Sequence, residues 1–361
     1  MKILFTILFL LSFNLCLRAQ TIDETAAIKY FELVDSLKKG KPLTQDTWTT
    51  FLGLEGNRLY IENQGFNSSY LEKYRKEMEI VYMPQNDSIL QSKLKNRQNH
   101  FLTYVINQYK ANEPELRKYL VELSNGKDNY LKAMYDNAYL MLPKGMQKKS
   151  PDAKLYIISI ENDGIAHRGN IVLTHWLAYN YDKAKYGAVS GHELHHLLRK
   201  PKQYNVEEKD KGLLTILNKI LNEGGPDLID KKSSLSASFP EELQFGAYFL
   251  STGEKALPKL DAAIKEIATG QKVYSGGDMN QLIGSSGHIP GFYMADVIER
   301  NGLKSKLIKN IHDPFQFFYL YNKAAKKDKA NPFVFSDATM SYLKKVESEA
   351  KRKRSTSANK S

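Results

Sequence analysis

The sequence predicts an α+β fold that is mostly helical, with a small sheet beside a helix carrying the pattern His-Glu-x-x-His. Three observations lead there. Apolar residues recur at i, i+3 and i+4 through most of the chain, the spacing of helices that turn one face to a core. Only two short runs, residues 154–160 and 170–174, are rich in β-branched and aromatic residues between turn signals. Beyond them, His192-Glu193-Leu194-His195-His196 sits in a stretch whose Val189, Leu194, Leu197 and Leu198 suit a helix.

The chain has 361 residues, 42% hydrophobic and 25% charged, with 22 Gly and 12 Pro. That composition excludes collagen-like, low-complexity and disordered chains, and the length suffices to bury a sizeable core. The single cysteine, Cys16, rules out an internal disulfide and a thiolate metal site, so metal chemistry falls to eight histidines and the carboxylates. Residues 1–19 read as a secretory signal peptide: Lys2, an apolar stretch too short to span a membrane, and a small residue, Ala19, at the cleavage position. Leu15, ahead of Cys16, argues against lipid attachment there. Cleavage after Ala19 implies an exported protein, periplasmic or extracellular, without cysteine and with its net charge lowered from +12 to +10. No later segment approaches the run of about 18 apolar residues that a membrane span needs, so no transmembrane segment is expected after cleavage.

Residues 20–148 form an N-terminal helical region. Ala26, Ala27, Tyr30, Phe31, Val34 and Leu37 make its first helical stripe, and Pro143-Lys144-Gly145 closes it with a turn. Residues 149–345 form the second region. It holds the two strands, the His-Glu-x-x-His helix, an amphipathic helix marked by Leu213, Ile216, Leu217, Ile220 and Leu221, and a Gly- and Ser-rich interruption at residues 275–291. Residues 346–361, with Lys351-Arg352-Lys353-Arg354, are expected to be a disordered basic tail.

On a helix, His192 and His196 lie four apart and project from one face, where both imidazoles can hold a single Zn²⁺. Glu193, beside the first of them, is placed to act as general base on the water that such an ion activates. A third protein ligand is needed if one position is to stay open for that water. The metzincin spacing is excluded, because Arg199 and Lys202 stand where it requires Gly and His. Glu223, 27 residues after His196, is the better candidate. It follows Ile220 by three and Ile216 by seven, which puts a carboxylate on a buried helix face where it needs a partner. Glu241 and Glu242 are the alternatives, while Glu207 and Glu208 fall in a charged turn.

His-Glu-x-x-His followed by Asn222-Glu223-x-x-x-Asp227 resembles the gluzincin metallopeptidases, of which thermolysin is the familiar example. Residues 171–321 more closely resemble a bacterial family of unknown function described as zinc-dependent peptidases. The resemblance implies a zincin-like fold and a gluzincin-like catalytic domain over residues 149–345. It assigns one Zn²⁺ per chain to His192, His196 and Glu223, with Glu193 as base. It makes Asp227 the carboxylate that orients a ligand histidine through its outer ring nitrogen. Gly224, Gly225 and Pro226 depart from the thermolysin pattern and speak against a continuous helix through Asp227. The resemblance also makes Asn170–Thr174 an edge strand that pairs with substrate backbone.

Peptide hydrolysis further wants a donor for the developing oxyanion, and His288 and Tyr293 offer one each; their ordinary alternative is capping and core packing. His195 is given a place beside the ligands, and His100, His167, His175 and His312 structural roles. The expected function is an exported zinc metallopeptidase acting on a peptide or protein substrate, with no specific nucleic acid partner. The competing expectation is an exported helical binding protein that meets anionic surfaces or polymers through its positive charge, with His-Glu-x-x-His incidental. Weak attraction to anionic surfaces is expected in either case.

Overall fold

All four side chains of the strand Leu155–Ile158 are buried, as befits a strand covered on both faces. It lies inside a four-stranded mixed sheet in the computed structural model, which describes residues 21–236, 239–284 and 286–358. The proposed signal peptide, with Cys16 and Ala19, lies outside the described residues. The strands are β1 (Ile22–Asp23), β2 (Leu155–Ile158), β3 (Gly164–His167) and β4 (Asn170–Thr174), in the spatial order β1-β2-β4-β3. β1 and β4 run parallel to β2, and β3 returns antiparallel to β4.

This order corrects the expected edge. Asn170–Thr174 pairs on both sides, and the outer strand beside it is β3, which the sequence pattern did not reveal. Gly164-Ile165-Ala166-His167 is short, begins with glycine and buries only Ile165 well, so it lacks the β-branched run that marks its neighbours. A two-residue turn joins it to β4, with Arg168 and Gly169 at φ 47° and 76°, the left-handed pair a tight hairpin requires.

The remainder is helical, and the first helical region is integral to the fold. β1 adds a strand to β2, and one hydrophobic cluster runs without a break from Ile22 to Val346. The motif helix, Ala188–Leu198, packs against helix Lys127–Tyr139 so closely that a Cβ on Gly191 would stand 2.6 Å from Asn137 Cβ. Gly187, at φ 70°, starts the motif helix, and its N–H donates to Asp182 at 2.9 Å. The tail expectation is also corrected. Helix Asp337–Ala358 runs through most of it, because Val346, Glu347 and Ala350 are buried on one face. Among the described residues, no helix is long and apolar enough to cross a membrane.

Helix Lys211–Asp230 continues through Pro226, contrary to expectation. Proline removes one backbone hydrogen bond, but here tertiary packing overrides that preference. The glycines show what the packing is. A Cβ on Gly224 would lie 2.3 Å from the Gly291 carbonyl oxygen, and one on Gly291 would lie 2.5 Å from that of Ile220. Helix His288–Arg300 therefore crosses helix Lys211–Asp230 backbone to backbone at this point. Gly224→Ala and Gly291→Ala are each expected to cost about 1–3 kcal/mol through forced displacement of backbone. Urea midpoints should fall with the slope unchanged, while Gly145→Ala, with no atom within 4 Å of the added Cβ, should leave the midpoint in place.

Candidate metal centre

The glycine crossing sets the first turn of helix His288–Arg300 against residues 223 and 227 of the long helix, and the motif helix faces both. Three imidazole Nε2 atoms converge on one carboxylate oxygen as a result. Glu223 Oε2 lies 3.3 Å from His196 and from His288, and 3.8 Å from His192. Ligands about 2.0–2.1 Å from a tetrahedral ion lie roughly 3.3–3.4 Å apart, so the ring of donors has the size of a zinc shell. His192, His196 and Glu223 offer ligand atoms that all fall within 4.8 Å of one another.

The neighbours of these groups decide which atoms face the centre. His192 Nδ1 is hydrogen-bonded to Asp230 Oδ1 at 3.1 Å, which turns Nε2 toward Glu223. Asp230 in turn accepts from Lys231 Nζ at 2.7 Å. Glu223 Oε1 accepts from Asn222 Nδ2 at 2.9 Å, and Asn222 Oδ1 accepts from the buried Arg199 at 2.8 Å, which leaves Oε2 for the histidines. Orientation of a ligand histidine therefore falls to Asp230. Asp227, expected in that role, stands 3.7 Å from His192 Nδ1 and instead pairs with His288 Nδ1 at 3.0 Å. His192, Asp227 and His288 form a second group close enough to hold an ion, but Nδ1 of each histidine is already bonded there, to Asp230 and Asp227 respectively.

Charge follows the same geometry. Burial alone would raise the Glu223 pKa, but His196, His288 and His192 outweigh it and hold the carboxyl well below its usual range. Burial opposes charge on His288, yet Asp227 and Glu223 prevail and raise its pKa. Glu193 shows the reverse balance. Its burial dominates over His192 and His196, so its pKa is raised. Glu193 Oε1 is 4.0 Å from His192 Nε2, near the centre without belonging to the donor ring.

Side-chain exposure rises from 2% at His192 to 15% at His196 and 32% at His288, so the cluster opens on the His288 side. There a cleft of about 330 Å³ is lined by Glu193, His196, Glu223 and His288, with β3 residues Gly164, Ile165 and Ala166 along its flank. Tyr293 is not among them. One helical turn and a half from His288, it points to the other side, where its hydroxyl meets Glu254. The alternative acids also lie elsewhere: Glu241 pairs with Arg97, and Glu242 accepts from Trp176 and Tyr104. His195 is fully buried, His175 stacks on Tyr119, and His167 meets Asn63 and Glu62 at the surface.

Asp230 was readable in principle. Glu223, Asp227 and Asp230 fall at i, i+4 and i+7, one face of a helix, once the helix is allowed to pass Pro226. Asp230→Asn and Asn222→Ala are expected to weaken zinc binding about 10- to 100-fold, as losses of groups that orient ligands do, measured by competition with a chromophoric chelator. Tyr293→Phe should leave zinc affinity unchanged.

A family model described as "Putative zinc dependent peptidase (DUF5700)" matches residues 48–330, more than three quarters of the chain. The match is wider than the resemblance over residues 171–321, because it takes in the N-terminal helices that share the core with the motif helix. No curated protein and no solved structure matches the chain. The chain thus belongs to the family that this model describes.

Proposed function

We propose that the protein is an exported zinc metallopeptidase that hydrolyses peptide bonds. The observation that carries the reading is the convergence of His192, His196 and Glu223 on one point, with Glu193 beside it at the edge of an open cleft. The family description supports zinc and peptidase chemistry. Export rests on the character of residues 1–19.

His192 Nε2, His196 Nε2 and Glu223 Oε2 would hold one Zn²⁺ per chain. Zinc supplies a Lewis acid there, polarising a carbonyl and acidifying a water. Glu193 receives the proton of the attacking water on its carboxylate and passes it to the leaving amine nitrogen. Its raised pKa favours that uptake. His288, at the cleft wall with Nδ1 tied to Asp227 and Nε2 3.3 Å from Glu223 Oε2, would donate from Nε2 to the oxyanion as it forms once Glu223 is engaged by the metal. β3, the outer strand beside β4 that flanks the cleft, would pair with an extended substrate backbone, the role expected of β4.

Elemental analysis should find about one zinc per chain, lost in His192→Ala. Glu193→Gln should retain zinc while peptidase turnover falls at least about a hundredfold. Stoichiometric zinc with no cleavage across a broad peptide library would refute hydrolysis. Binding of anionic polymers that ignores chelators, with no zinc present, would favour the binding-protein alternative.

A further inference from the structure

Next to the catalytic cleft lies a larger cavity of about 620 Å³. Gly164, Glu193 and His288 line both spaces, so the two form one groove past the reacting position. Its lining is rich in aromatic residues, with Phe66 and Tyr70 from the N-terminal region and Tyr248 and Phe249 from the C-terminal half. Its charged groups, apart from Glu193 and His288, are mainly acidic: Glu161, Asp163 and Glu242. Among the described residues its lining holds one lysine, Lys231, which is committed to Asp230.

Of these acids, Glu161 is fixed through its backbone as well as its carboxylate. Its backbone takes the left-handed conformation, φ 63°, in the loop between β2 and β3. Three tyrosines fix it in place: Tyr109 donates to its carbonyl at 2.9 Å, Tyr74 accepts from its N–H at 3.2 Å, and the Tyr70 hydroxyl donates to its carboxylate. Burial pushes its pKa up, the Tyr70 hydrogen bond opposes that in part, and Asp163 adds to the rise. A carboxylate anchored this way in an aromatic cavity has the chemistry to receive a cation carried on an apolar stem.

We infer that this cavity is the specificity pocket of the peptidase and takes a basic side chain, arginine or lysine, that flanks the scissile bond. Glu161 accepts the charged end, and the aromatic walls cover the methylenes and stack on a guanidinium. Glu161 is a binding residue in this scheme and takes no part in the bond breaking. The inference rests on the peptidase reading above. The chain as a whole is strongly basic, so attraction of a basic peptide must come from this local group of acids rather than from the overall field.

The test uses the full zinc-loaded chain and peptides identical except at one position, which carries arginine, lysine, citrulline, phenylalanine or glutamate. Cleavage sites are mapped by mass spectrometry. Arginine and lysine peptides should exceed the citrulline peptide in kcat/KM by about tenfold or more, the scale of a hydrogen-bonded charge. Glu161→Gln should abolish that advantage, and the loss should appear in KM rather than kcat. The arginine-to-citrulline comparison needs no variant, so it stands even if Glu161→Gln folds poorly. Equal cleavage of arginine and citrulline peptides, or preference for phenylalanine or glutamate, overturns the inference. If the wild type cleaves nothing, the peptidase reading has failed separately. Calorimetric binding of the arginine and citrulline peptides to Glu193→Gln then still reads the pocket, with equal affinity overturning it.

Discussion

The arrangement depends on a carboxylate placed where three imidazoles can reach it. Withdrawing a charge from water costs on the order of several kcal/mol, and Glu223 is offset by His192, His196 and His288 on one oxygen and by Asn222 on the other. Each of those partners needs its own support. Asp230 and Lys231 fix His192, Asp227 fixes His288, and Arg199 fixes Asn222. The glycine crossing makes this possible, since any side chain at Gly224 or Gly291 would drive apart the helices that carry Glu223 and His288.

The parts of the site that follow helical periodicity were legible in the sequence. His192, Glu193 and His196 follow from spacing alone, and Glu223 from its register with Ile216 and Ile220. The structure brings these together, with His288 beside them. What failed to show depended on tertiary context. Pro226 hid Asp230, because a proline within a helical pattern ordinarily marks its end, and only the packing at Gly224 and Gly225 carries the helix through. Tyr293 and His288 were equal by composition, and the direction of the helix sent them to opposite sides. β3 is too short and too poor in branched residues to stand out in the sequence, and the edge position that the gluzincin resemblance implies for β4 belongs to it.

The N-terminal helices gain a purpose from the same geometry. They share the core with the motif helix, and through Gly191 they fix its approach. Through Phe66, Tyr70, Tyr74 and Tyr109 they also build one wall of the large cavity and hold Glu161 in it. The family match beginning at residue 48, far ahead of the metal residues, is consistent with that shared construction.

The central claim is the division of labour among the three histidines, two holding metal and one facing the substrate. Zinc K-edge absorption spectroscopy on the purified chain and on His288→Ala tests it directly. The expected result is a four-coordinate shell of nitrogen and oxygen with two imidazoles, unchanged in His288→Ala. Three imidazoles in the wild type, falling to two in the variant, would make His288 a ligand and contradict it.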